Sequence, residues 1–212
     1  MLTVNQILTQ NSKLKKTSLL NNKRVFNFGI IANKSLEGRK TCPFAKGCLG
    51  ADYKCYAQKG AYAWPSVKNA YNRRYKLTRQ NNFVAIINHA IKKRKVDVLR
   101  LHDSGDFYSL EYLNKWVQIA NDNKNVIFYA YTKSIPFFKP SKNSDTSFLL
   151  PKNLIIIFSE GSSKDELINH ANDRHSRIFT NLDDLIKSGY INASDNDLNA
   201  IKENKKVGLL LH

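Results

Sequence analysis

Apolar residues recur along this chain with two different periods. "RVFNFGIIA" (24–32), "VDVLRL" (96–101), "NVIFYAYT" (125–132) and "NLIIIF" (153–158) are short runs rich in β-branched and aromatic residues, and they read as strands. Between the first two the spacing changes. From Trp64 to Arg94 the residues Val67, Ala70, Tyr71, Arg74 and Tyr75 repeat every three to four positions, with Pro65 suited to a first helical turn. "NNFVAIINHAIKKRK" predicts a second helix with an asparagine cap and a lysine-rich end that suits the helix dipole. "SLEYLNKWVQIANDN" predicts a third, capped by Ser109, with Leu110, Leu113, Trp116, Val117 and Ala120 on one face. "KDELINHA", "RIFTN", "LDDLIKSG" and "KVGLLLH" are shorter units, and 137–153 is one long irregular insertion. The first two dozen residues suggest a small helix or a loose arm. Strands alternating with helices predict a single α/β domain over 1–212, with a mainly parallel sheet, either open or closed into a partial barrel.

Composition adds little until charge is considered. At 212 residues and 42% hydrophobic, the chain has the profile of a globular protein. No run approaches the roughly 18 apolar residues of a membrane span, and the start lacks the order of a signal peptide. The expected location is therefore the cytoplasm. The net charge is +17, and it is unevenly placed. Residues 1–100 hold 21 Lys/Arg and three acids, whereas residues 101–212 hold 13 Lys/Arg and 14 acids. An excess confined to one half points to a polyanionic partner, nucleic acid rather than membrane, although a solubilising surface is the plainer alternative.

That basic half also contains every cysteine. Cys42, Cys48 and Cys55 fall within "TCPFAKGCLGADYKCYAQKGAYAW" (41–64) at spacing C-x5-C-x6-C. The spacing is not the C-x2-C knuckle of common zinc sites. Three thiolates can hold a four-iron cluster and leave one iron for another ligand, and Gly47 and Gly50 allow the backbone to wrap an inorganic core. Lys46 and Lys54 would lower the thiol pKa values. Zinc with a histidine or aspartate as fourth ligand, and no metal with the cysteines as small buried hydrophobes, stay open. Around the loop, aromatics alternate with cations: Tyr53, Tyr56, Tyr62, Trp64, Tyr71 and Tyr75 beside Lys54, Lys59, Lys68, Arg73, Arg74, Lys76 and Arg79. Flat rings and cations together suit single strands or distorted duplexes, although Tyr71 and Tyr75 at helical spacing also suit a core.

Ligands of parallel α/β folds bind at the carboxyl ends of the strands. The cysteine loop, "HDSGDF", "TKS" and "SEGSS" all follow predicted strands. They place His102, Asp103, Ser104, Asp106, Thr132, Lys133, Ser134, Ser159 and Glu160 on one rim, where each could equally close a turn or cap a helix. No P-loop, G-x-G-x-x-G or H-E-x-x-H motif is present.

"TCPFAKGCLGADYKCYAQKG", "VKNAYNRRYKLT" and "RLHDSGDFYSLEYLNKWVQIANDNKNVIFYAYTKS" together resemble the phage "gene product 88" family over about residues 24–160. The resemblance implies a phage or prophage source and a cysteine-bound iron–sulfur centre. More distantly the order of parts is similar to radical SAM enzymes, with a cysteine loop after the first strand, a "TK" at a later strand end and a partial barrel. The chain departs from their C-x3-C-x2-C loop. The family's further cysteines near the C-terminus are also missing from a chain ending "VGLLLH". A fourth cluster ligand then falls to His102, Asp103 or Asp106. Two functional classes follow: an iron–sulfur protein that binds nucleic acid, or an iron–sulfur enzyme using SAM or another substrate. A zinc-stabilised interaction protein is a third.

Overall fold

Four strands of branched and aromatic residues, each preceded or followed by a helix, cannot form hairpins; parallel pairing with helical crossovers is what remains. The computed structural model describes residues 2–46, 55–141, 143 and 150–211. Among these residues it has seven parallel strands: β1 (Val25–Phe28), β2 (Val98–Leu101), β3 (Ile127–Thr132), β4 (Leu154–Ser159), β5 (His175–Phe179), β6 (Ile191–Asn192) and β7 (Lys206–Leu210). Their order is β1-β2-β3-β4-β5-β7-β6, and the sheet curls into an open half-barrel. Helices α1 (Val4–Ile7) and α2 (Ser12–Asn21) precede β1. Two more, α3 (Pro65–Thr78) and α4 (Phe83–Arg94), connect β1 to β2; α5 (Leu110–Asp122) connects β2 to β3, and α6 (Leu182–Lys187) follows β5. No helix among the described residues is long and apolar enough to cross a membrane.

Strand alternation divides the core in two. Phe26, Phe28, Leu99, Leu101, Phe128 and Ala130 face the helical layer, where Phe83, Tyr112 and Trp116 fill the space. Trp116 meets the rings of Phe28 and Phe83 edge-on at 5.3 and 5.5 Å, a geometry that aromatic quadrupoles favour. Val25, Val98, Tyr129, Ile157 and Val207 face the inside of the curl and bury Leu14 of α2 and Ala200. Burial on both faces explains why these strands lack a polar alternation.

Several expectations needed adjustment. Of the two readings of the N-terminal stretch, small helix or loose arm, the helical one holds, and with two helices: Asn11 caps α2 by accepting from the Leu14 amide, and Thr9 pairs with Asn27 of β1. Ser109 caps α5, accepting from the Tyr112 amide, but Leu110 is 54% exposed while Tyr112 and Ile119 are buried. Leu113, Trp116 and Ala120 are buried as expected and Val117 is half-buried, so the stripe is widened toward Tyr112 and Ile119 and loses only Leu110. Asn82 precedes α4 without a side-chain cap bond. Within "KDELINHA" there is only a 3-10 turn at Asp165–Leu167. Much of the 137–153 insertion, residues 142 and 144–149, lies outside the described residues.

Candidate functional site

The carboxyl ends of β1 to β4 meet at the mouth of the half-barrel. Cys42, Tyr56, Arg100, His102, Asp106, Tyr131, Lys133 and Ser159 line one cavity there. The predicted rim is therefore a real convergence, although its members play different parts.

Asp106 is the brace of the site. One of its carboxylate oxygens accepts from the Thr132 hydroxyl at 2.6 Å and the Phe107 amide at 2.7 Å. The other accepts from the Lys133 amide at 2.8 Å. These bonds tie the turn after β2 to the end of β3. Burial nevertheless pushes the Asp106 carboxyl up to about 6. Lys133 is itself buried, and its ammonium donates to the Ser159 hydroxyl at 2.8 Å and the Glu160 carbonyl at 2.7 Å, linking β3 to β4. The Ser134 hydroxyl donates to the Phe107 carbonyl, and the Ser104 carbonyl accepts from the Ile30 amide. Gly105 has φ +78°, and a Cβ there would lie 2.3 Å from the Ile30 side chain.

His102 behaves mainly as a core residue. It occupies a left-handed backbone conformation at φ 62°. Its Nε2 is 3.0 Å from the Tyr112 hydroxyl, and its ring lies edge-on to Phe107 at 4.5 Å. Burial pushes its imidazole down to about 3, so it is neutral. Its Nδ1 is buried with no hydrogen-bond partner among the described residues.

Asp103 is held by tyrosines. Its carboxylate accepts from the Tyr71 hydroxyl at 2.8 Å and the Tyr62 hydroxyl at 3.4 Å, and its carbonyl accepts from Tyr56 at 2.7 Å. Gly29 admits this approach, because a Cβ there would lie 2.0 Å from the Asp103 carboxylate. Tyr56, Tyr62 and Tyr71 form a chain of rings at 6.0 and 5.7 Å.

The cysteine loop is attached to this scaffold on three sides. The Thr41 carbonyl accepts from the Asp106 amide, and Tyr56 bonds Asp103, so the neighbours of Cys42 and Cys55 both fix on the turn after β2. On the third side Lys46 and Ser163 exchange backbone bonds with Gly161 and Phe44 beyond β4. The Asn33 amide points at the Cys42 sulfur from 3.4 Å, an arrangement that stabilises a thiolate. Cys48 and Lys54 lie outside the described residues. Of the described thiols, Cys42 lines the mouth beside Arg100 and Lys133, and Cys55 precedes Tyr56, which lines it as well; thiolate sulfur is the donor that an iron–sulfur cluster takes.

Arg100 is the one cation inside the apolar β2, a signal readable in the sequence. It faces inward, 3.0 Å from the Asp197 carboxylate, with Tyr131 5.2 Å away. Asp197 is fully buried, 2.7 Å from Lys13, and accepts from the Tyr129 hydroxyl. Burial pushes its carboxyl up, but Arg100 and Lys13 overcome that and hold it below the usual range.

Outside the mouth, Lys46, Lys59, Lys68, Arg73 and Arg79 are exposed, and Trp64 is 62% exposed. Lys76 is exposed and paired with Glu37 at 2.7 Å. Lys68 and Lys76 on α3 and Arg79 at its C-cap fall within about 80° of arc at 100° per residue. Arg74 does not belong to this face. Only 4% exposed, it donates to the carbonyls of Gly29 and Gln6, because its helical position turns it toward the core.

No curated protein and no solved structure matches the chain. A family model described as "Gene product 88" matches residues 4–212. With that match spanning nearly all of the sequence, the chain belongs to the gene product 88 family, a family of phage proteins.

Proposed function

We propose that this phage-family protein holds an iron–sulfur cluster over the mouth of its half-barrel and binds nucleic acid through the adjoining basic face. The observation that carries the reading is the double attachment of the cysteine loop. Thr41 and Tyr56, next to Cys42 and Cys55, are both hydrogen-bonded to the same turn at Asp103–Asp106. These two bonds keep Cys42 and Cys55 beside the same turn, which supports a shared role for their thiols. Cys42, Cys48 and Cys55 would be the ligands of a four-iron centre, and His102 is the best placed of the fourth-ligand candidates, with its unpartnered Nδ1. Asp106 is already committed through both oxygens to Thr132, Phe107 and Lys133, and Asp103, although its Oδ1 is also unpartnered among the described residues, lines a separate cavity against α3 and not the one that holds Cys42 and His102. Such a centre supplies an electron-transfer or Lewis-acidic group when bound. The chain's own residues orient the loop, and Arg100 and Lys133 place positive charge beside it.

Nucleic-acid binding is supported by exposed cations on and before α3, together with an exposed indole at its start. Trp64 offers a flat face for a base while Lys68 and Arg79 meet phosphates. The test is oxygen-free purification with iron, sulfide and zinc analysis, followed by binding to a labelled oligonucleotide. A brown protein whose Cys48→Ser variant loses both iron and affinity supports the reading. Colourless, iron-poor protein overturns the cluster, and zinc in stoichiometric amount would point to the zinc alternative.

A second reading is a radical SAM-like enzyme. It is favoured by the polar mouth, where Asp106, Lys133 and Ser159 line a cavity beside Cys42. Formation of 5′-deoxyadenosine from SAM after reduction would separate it from the binding protein.

A further inference from the structure

A second constellation lies on the opposite face of the sheet from the mouth. β4 and β5 run side by side with Phe158 opposite His175 and Ser159 opposite Ser176. Ser159 therefore lines the cavity, while His175, Arg177 and Glu160, just past the end of β4, project to the other side. The connecting loop brings His170 back over them. The Glu160, His170 and His175 ligand atoms all lie within 4.8 Å of one another, and His170 Nε2 is 3.4 Å from Glu160 Oε1.

From this geometry we infer a divalent transition-metal site, with zinc its natural occupant, formed by Glu160, His170 and His175 and separate from the cysteine loop.

The supporting contacts are those a metal site requires. His175 Nδ1 is 3.0 Å from the Asp173 carbonyl. A carbonyl only accepts, so Nδ1 carries the hydrogen and Nε2 keeps the lone pair. That lone pair currently accepts from the Tyr190 hydroxyl at 3.1 Å, a bond that a metal would replace. Arg177 takes one Glu160 oxygen at 2.7 Å. The other, Oε1, is buried without a hydrogen-bond partner among the described residues and lies toward His170. The loop bearing His170 is pinned as well: the Asp173 carboxylate accepts from the Asn169 amide at 2.8 Å and pairs with Lys139 at 2.6 Å.

Tetrahedral zinc with bonds of about 2.0–2.2 Å needs donors about 3.3 Å apart. His170, half exposed, has the freedom to close that gap. Two imidazoles and one carboxylate suit zinc or cobalt rather than calcium or magnesium, and water would complete the shell. Bound metal would brace the loop whose first residues, Gly161 and Ser163, hold the cysteine loop.

The test uses the full chain, stripped of metal and titrated with Co²⁺ and then Zn²⁺, in wild type and with Cys42, Cys48 and Cys55 all changed to Ser. One equivalent of cobalt with visible d–d bands, no sulfur charge-transfer band in the serine variant, and displacement by zinc are expected. His170→Ala and Glu160→Gln, both partly exposed, should weaken that binding at least tenfold while circular dichroism stays unchanged. Should the serine variant not fold, the same substitutions in the wild-type background should remove one zinc per chain and leave iron unchanged. Binding that is absent in wild type, that disappears only with the cysteines, or that survives both substitutions would overturn the site.

Discussion

The Asp106 carboxylate and the Thr132 hydroxyl lie 2.6 Å apart, joining the turn after β2 to the end of β3. Both are buried, and the same carboxylate holds the Lys133 amide. The junction fixes the turn after β2 against the end of β3 at the mouth.

Asp106 should make stability depend on pH. Its folded pKa, raised from 3.8 to about 6 by burial, means that the folded state binds the proton more tightly than the unfolded one. Stability from this group is therefore full below about pH 4 and falls as pH rises to 6, by up to about 3 kcal/mol. Urea denaturation across that range, compared with Asp106→Asn, checks it. The variant should lose this slope while paying about 1–3 kcal/mol for a mismatched buried donor.

Asp197 should act in the opposite sense. Its carboxyl is held low by Arg100 and Lys13, so its contribution is present above the ordinary carboxyl range and disappears as pH falls below it. Asp197→Ala leaves Arg100 buried without its counter-ion and should cost about 3–5 kcal/mol in chemical denaturation. Lys13→Met, at a 27% exposed side chain, should cost clearly less.

Gly29→Ala should disrupt the tyrosine-held aspartate. The added methyl group would lie 2.0 Å from the Asp103 carboxylate and 2.9 Å from Tyr71. A loss of about 1–3 kcal/mol is expected from the forced displacement. Tyr71→Phe, which removes only the hydroxyl, should cost no more than about 1–3 kcal/mol. A thermally unchanged Gly29→Ala protein would contradict the close approach.

The basic face should separate from the fold. Lys68→Ala, Arg73→Ala and Arg79→Ala should leave the melting temperature unchanged, weaken oligonucleotide binding and reduce the salt slope by about one each. Arg74→Ala should instead lower the melting temperature, because its buried guanidinium bonds two carbonyls. Fluorescence anisotropy at several salt concentrations, beside thermal melts, measures both.

Trp64 should report the same event optically. It is exposed, whereas Trp116 is fully buried. Binding of a single strand should quench the Trp64 part of the emission, and Trp64→Phe should abolish the quenching without shifting the remaining signal.

The strands were legible because their residues are buried on both faces and can satisfy their backbone only in a sheet. "NLIIIF" could hardly be anything else. The convergence of "HDSGDF", "TKS" and the cysteine loop followed from chain direction, since parallel strands bring every carboxyl end to one rim. Arg74 shows the limit of such reading: the same cation-rich helix offers Lys68 to solvent and Arg74 to the core, and helical phase against the neighbours decides which.

By itself, then, the sequence determined the α/β alternation, the parallel sheet, the cysteine loop's place after β1 and the basic half, since these follow from local periodicity, residue type and chain order. Only the tertiary structure decided that Asp106 braces rather than projects, that His102 is buried and neutral, and that Glu160 leaves the rim for His170 and His175. Those outcomes depend on which side of a curved sheet a residue faces and what it meets across tens of residues of chain, and no local pattern records that.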